Sequence, residues 1–228
     1  MTAEQWVTAR HHAKMTQVQA ARALDISQPY LSQLENGARV ATANLLRKAQ
    51  ALYKASPTVL PLSQPEQAIT VEPDCLERDL AALGYPGFAH VRAEQRRNPA
   101  EVVFTAVVQS DLDARLVEAL PWVMAEFPDL NWCWLRDNAK LRNVQNRLGY
   151  VVHLAKEVAN KAKSAPNLEA LSAWERDLEE ARLARESTLC RDSMPERERE
   201  WLRSHRPPPA EHWNILTSLT SEQLHYAI

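Results

Sequence analysis

Glycine is nearly missing from this chain, with four in 228 residues. Glycine-rich phosphate-binding loops are absent with it, and neither a P-loop, a GxGxxG nor a GxSxG pattern occurs. Alternation of apolar and polar residues at period two is also close to absent, so the chain reads as almost all helix. Cysteine is rare: Cys75, Cys133 and Cys190 are odd in number, far apart, and show neither a CxxC pair nor metal-ligand spacing. No apolar run approaches the roughly 18–20 residues that span a bilayer. The opening MTAEQWVTARHHAKM lacks the basic-then-apolar layout of a secretory signal. Together these absences point to a reducing cytoplasm and to no membrane partner.

What is present is ordinary in bulk and uneven in charge. The hydrophobic fraction is 45%, the charged fraction 25% and the net charge −2, values typical of globular proteins. Residues 1–54 carry seven Lys or Arg against three acids, so the first quarter stands at +4 and the remainder at −6. A basic module on an acidic body suggests a polyanion partner for the small part.

The chain divides at a proline-rich stretch. Residues 55–74, ASPTVLPLSQPEQAITVEPD, contain four prolines and no clean period, which suits an extended linker or a strap on either side. Before it, Thr16, Ser27 and Thr42 are placed to cap helices, with Pro29 in the first turn of one and Gly37 after the end of it. Beyond it, residues 75–228 offer helical segments over 75–83, 99–109, 112–127, 135–161 and 168–185, then a short charged helix ending at three prolines. In 135–161 the stripe Leu141, Val144, Leu148, Val151, Val152 and Ala155 reads as one long helix face.

The stretch TQVQAARALDISQPYLSQLENG, Thr16 to Gly37, sets two short helices almost end to end. A steep crossing needs a small residue at the contact, which Ala21 supplies, and a turn residue that accepts a left-handed backbone, which Asp25 can do. Leu24, Ile26, Leu31 and Leu34 provide the shared apolar contact. The pattern is that of a helix-turn-helix, although such a pair can also be a hairpin that only packs.

Residues 7–53 resemble the Cro/cI-like repressors, the Xre family, whose motif runs T-Q-x-x-L-A-x-x-L-G-[IV]-S-x-x-x-[IV]-S-x-[IL]-E-x-G after an upstream Arg. Arg10, Thr16, Gln17, Ala21, Leu24, Ile26, Ser27, Leu31, Ser32, Leu34, Glu35 and Gly37 fall on matching positions. Asp25 replaces the turn Gly and Ala20 replaces a Leu, leaving space for Trp6 to fill. The resemblance implies a lambda-repressor-like domain over residues 1–54 that binds a double-stranded operator. It implies that Gln17 meets a phosphate, and that Gln28 and Gln33 read base edges. Ser27, Tyr30 and Ser32 become candidates for phosphate or further base contacts, and Lys14, Asn36 and Arg39 for holding the DNA backbone. It also implies a structural ion pair between Arg10 and Glu35. Gln19 faces outward and receives no role.

Other chemistry finds little support. His11 and His12 read as phosphate-facing or solvated, and His205 and His212 lack the further ligands a metal needs. Glu196–Glu200 reads as a solvated helix face, and no Ser–Lys autoprotease setting is evident. Trp122, Trp132 and Trp134 either pack a core, the simpler reading, or line a pocket or partner surface. No catalytic residue, metal or cofactor is expected.

The resulting expectation is an all-α regulator of transcription with a larger helical domain over 75–228 that dimerises, senses a ligand or grips a protein. A homodimer on a two-fold operator is expected, with half-sites about 34 Å apart. Relatives with an unrelated C-terminal domain are often autorepressing antitoxins, so a toxin partner, in a toxin–antitoxin or phage-defence operon, is the first expectation. A ligand-responsive repressor is the alternative.

Overall fold

Four helices separated by short joints open the chain: α1 (Ala3–His12), α2 (Gln17–Leu24), α3 (Gln28–Glu35) and α4 (Ala43–Tyr53). The structure is a computed structural model that describes residues 1–65, 73–93, 96–161 and 165–224. Each of these helices starts where a hydroxyl accepts an N–H that the helix itself cannot satisfy. Thr2, Thr16, Ser27 and Thr42 accept from Gln5, Gln19, Tyr30 and Leu45. Gln5 and Gln19 return the bond to the backbone of Thr2 and Thr16, closing capping boxes. Gln19 therefore has a task, and a T-x-x-Q spacing was its signal.

The apolar faces of these helices meet in one core. Trp6, Leu24, Leu31 and Leu34 are buried, and Trp6 meets Tyr53 edge-on with ring centroids 6.2 Å apart. Trp6 and Ala20 belong to the same cluster, so a small residue at 20 is matched by a large one at 6. The chain stays with this core after α4. Gln50 Nε2 donates to the Ala55 carbonyl at 2.9 Å, Pro57–Val59 form a single 3-10 turn, and Leu60 is buried. Met1–Leu62 make one compact unit and Ser63–Ile228 another. The proline-rich stretch is thus shared between the units at its two ends, and residues 66–72 lie outside the described residues.

The second unit contains α5 (Pro73–Leu83), α6 (Pro99–Val107), α7 (Ala114–Glu126), α8 (Trp132–Leu141), α9 (Gln145–Lys161), α10 (Ala165–Glu179), α11 (Glu196–His205) and α12 (Pro208–His212). Two-residue strands β1 (Ser187–Thr188) and β2 (Ile215–Leu216) pair in parallel. All nine residues of α6 are buried, and the one charged residue among them, Glu101, pairs with Arg97 at 2.6 Å. Helix α9 packs against both α7 and α10. Gly149 lets it approach Trp213, because a Cβ there would lie 2.3 Å from the indole Cζ3.

Two helix ends differ from the expected segments. The stripe over 135–161 is interrupted: Asn143 adopts φ 56°, α8 ends at Leu141, and Leu141 is 77% exposed. The amides of Asn143 and Val144 return to the carbonyls of Lys140 and Ala139, which closes the helix end. Helix α10 stops at Glu179, short of Arg185. Of the tryptophans of α7 and α8, Trp132 is buried and Trp122 and Trp134 are half-buried. Trp132 stacks on Trp174 at 5.0 Å and donates to Asp177, while Trp134 meets Phe104 edge-on.

Among the described residues no helix is long and apolar enough to cross a membrane. Nor is any group of three or more His, Cys, Asp or Glu placed to hold a metal ion.

Candidate nucleic-acid interface

The joint between α2 and α3 is made by Asp25, whose backbone sits in the left-handed region at φ 57° and ψ 46°. Its N–H returns to the carbonyls of Ala21 and Arg22, and the Ile26 N–H also reaches Ala21. Ala21 is buried at the crossing, where a larger side chain would hold the helices apart. Ser27 then starts α3 directly, with Pro29 in the first turn. The sharp reversal follows from three adjacent choices: a tolerated left-handed residue, a cap, and a proline whose missing N–H had no helical partner.

A polar relay runs beneath this joint. Arg10 Nε donates to Glu35 Oε1 at 2.6 Å and Arg10 Nη2 to Glu35 Oε2 at 3.0 Å, a two-pronged contact between α1 and α3. The Arg10 Nη1 group also holds the Met15 carbonyl at 3.1 Å, fixing the turn before Thr16. Gln17 Nε2 donates to Glu35 Oε2 at 2.7 Å, and Gln28 Nε2 donates to Gln17 Oε1 at 2.8 Å. The Glu35 side chain is only 3% exposed. Burial pushes its carboxyl up, but the hydrogen bonds from Arg10 and Gln17 and the charge of Arg10 outweigh that and hold it below the ordinary range. Burial, aided by the charge of Glu35, raises the Tyr53 phenol to about 12.

The other candidate residues fall at different depths. Lys14, Ser27, Gln33, Asn36 and Arg39 are exposed, whereas Gln17, Gln28, Tyr30 and Ser32 are half-buried. Tyr30 packs against the core of the unit, and Asn36 Nδ2 donates to Ser32 Oγ at 3.4 Å. Lys14 holds a left-handed backbone at φ 54°, and Gly37 does so at φ 73° after α3. His11 and His12 are exposed at the end of α1.

Chemically, the relay leaves Gln28 able to recognise a base. Its bond to Gln17 uses one of two amide hydrogens, so a second hydrogen and the carbonyl oxygen can serve the N7 and N6 edge of adenine. Gln17 itself is engaged on both sides through its side chain. A phosphate would meet its backbone N–H, which opens α2 where a helix favours an anion.

Comparison with curated proteins and with solved structures finds no match to the chain. A family model described as a helix-turn-helix domain matches residues 8–62, which run from the second half of α1 through α2, α3 and α4 to the 3-10 turn and the residues just after it. The chain therefore carries a helix-turn-helix domain over residues 8–62, a domain that supports a DNA-binding regulator.

Proposed function

We propose that this protein is a non-enzymatic, sequence-specific repressor that binds a two-fold operator as a homodimer and controls its own operon. The observation that carries the reading is the chain of contacts Arg10, Glu35, Gln17 and Gln28, which fixes the first side chain of α3 before any DNA arrives. Preorganised polar groups lose less freedom on binding than mobile ones. Gln33 and Ser27 are exposed on the same helix or its cap, and residues 1–54 supply a net +4 for phosphates. One eight-residue helix reads few base pairs, so two copies on two half-sites give the needed discrimination. Selection of bound duplexes from a random pool by the full chain tests this reading. Recovery of a two-fold sequence is the expected result, and a pool without enrichment sinks it.

For the second unit the proposal is capture of a protein partner, as in an antitoxin. In its support, residues 63–228 carry a net −6, and Trp201 is 53% exposed on α11, an aromatic of the kind enriched at interfaces. Co-purification of a neighbouring gene product with the full chain is the expected outcome, and its failure removes this part alone. A ligand-responsive repressor is the second reading, favoured by an arginine-lined cleft in the second unit.

A further inference from the structure

The turn between α8 and α9 and the segment leading into β1 line a cleft of about 530 Å³, within the range of small-molecule sites. Four arginines border it, Arg142, Arg147, Arg185 and Arg199, against two acids, Glu186 and Asp192. Both acids are already matched. Asp192 Oδ1 accepts from Arg147 Nη2 at 2.7 Å and from Thr188 Oγ1 at 2.6 Å. Glu186 pairs with Arg203 at 3.1 Å and with Arg206 at 3.6 Å.

Three of these arginines divide into wall and arms. Arg147 is buried, and its guanidinium also donates to the carbonyls of Val107, Gln109 and Thr188. It is fixed in place. Arg199 is held by the carbonyls of Met194 and Asp192, neutral groups that leave its charge uncancelled. Arg185 is exposed at the cleft. The cleft thus keeps a positive excess inside a unit whose formal charge is −6, and the first turn of α9 adds its own preference for negative charge.

We infer that this cleft binds a small organic oxyanion, a phosphate- or carboxylate-bearing molecule gripped by Arg185 and Arg199. Guanidinium groups match both kinds of oxyanion through paired N–H donors. The inference rests on the ligand-responsive reading only for any effect on DNA, because occupancy is measured without DNA.

The test is calorimetric titration of the full chain with pyrophosphate and, separately, with citrate, at constant ionic strength balanced by chloride. At least one probe should saturate a single site, and the stronger of the two distinguishes phosphate from carboxylate chemistry. Arg185→Glu should weaken that binding about tenfold or more, and Arg185→Ala should act in the same direction. Arg197→Glu makes the same charge change on an exposed residue outside the cleft, and should change binding by less than about twofold. Failure of both probes to saturate overturns the inference, as does equal weakening by Arg185→Glu and Arg197→Glu. A separate arm compares DNA affinity with and without the bound probe. No change there removes the ligand-responsive reading and leaves the site standing.

Discussion

Gln28 Nε2 donates to Gln17 Oε1 at 2.8 Å, which joins the first residue of α3 to the first residue of α2. The two helices of the helix-turn-helix are therefore coupled through side chains as well as through the turn at Asp25. Behind Gln17 stands Glu35, and behind Glu35 stands Arg10. In the proposed reading, specificity and stability share one set of contacts.

Removing Glu35 should be costly, because Arg10, only 11% exposed in the pair, loses its acid. Glu35→Ala should destabilise the first unit by about 3–5 kcal/mol, read as faster hydrogen exchange of the α2 and α3 amides.

The same residue sets an acid limb. The folded value of the Glu35 carboxyl lies below its unfolded one, so its contribution is complete above the unfolded pKa of about 4.3. It is lost as pH falls through the lower, folded value. Exchange protection of α2 and α3 should therefore fall below about pH 4.5, and Glu35→Gln should show less of that decline. An unchanged pH profile in the Gln variant would remove Glu35 from the account.

Asp25 occupies a left-handed backbone that glycine accepts freely and β-branched residues resist. Asp25→Val should cost about 1–2 kcal/mol. Asp25→Gly should stay within about 0.5 kcal/mol of the parent, since relief of strain is offset by a freer unfolded chain. Denaturant midpoints that rank Val at or above Gly would contradict the turn geometry.

Gly149 gives a contrasting case in the second unit. Alanine would improve helix propensity by about 1 kcal/mol, but its Cβ would fall 2.3 Å from Trp213 Cζ3. Overpacking of this kind costs about 1–3 kcal/mol, so Gly149→Ala should lower the melting temperature. Placed on a Trp213→Leu background, the same substitution should lose most of its penalty.

Much of the first unit was legible because its signals are local. Thr16, Ser27 and Thr42 each precede a helical apolar pattern, and each caps a helix. The Gln17 to Gln28 bond was not legible, since it depends on how two helices cross rather than on either sequence. In the second unit the break at Asn143 was hidden because Leu141, Val144 and Leu148 keep a helical spacing across it. A left-handed asparagine is its only local mark. The pairing of β1 with β2 joins two-residue strands far apart in the chain, too short to leave a period. The cleft at Arg185 and Arg199 has the same origin: its residues come together only in the fold.

Most direct is the affinity of the full chain for its selected operator against a scrambled duplex at one salt concentration, for the parent, Gln28→Ala/Gln33→Ala and Lys14→Ala/Arg39→Ala. The parent ratio should be about 10³ or more and should collapse in the glutamine variant. The Lys14/Arg39 variant should keep that ratio, while its affinity drops alike on both duplexes as phosphate contacts are lost. Equal losses on operator and scrambled DNA for the glutamine variant would contradict base reading by α3.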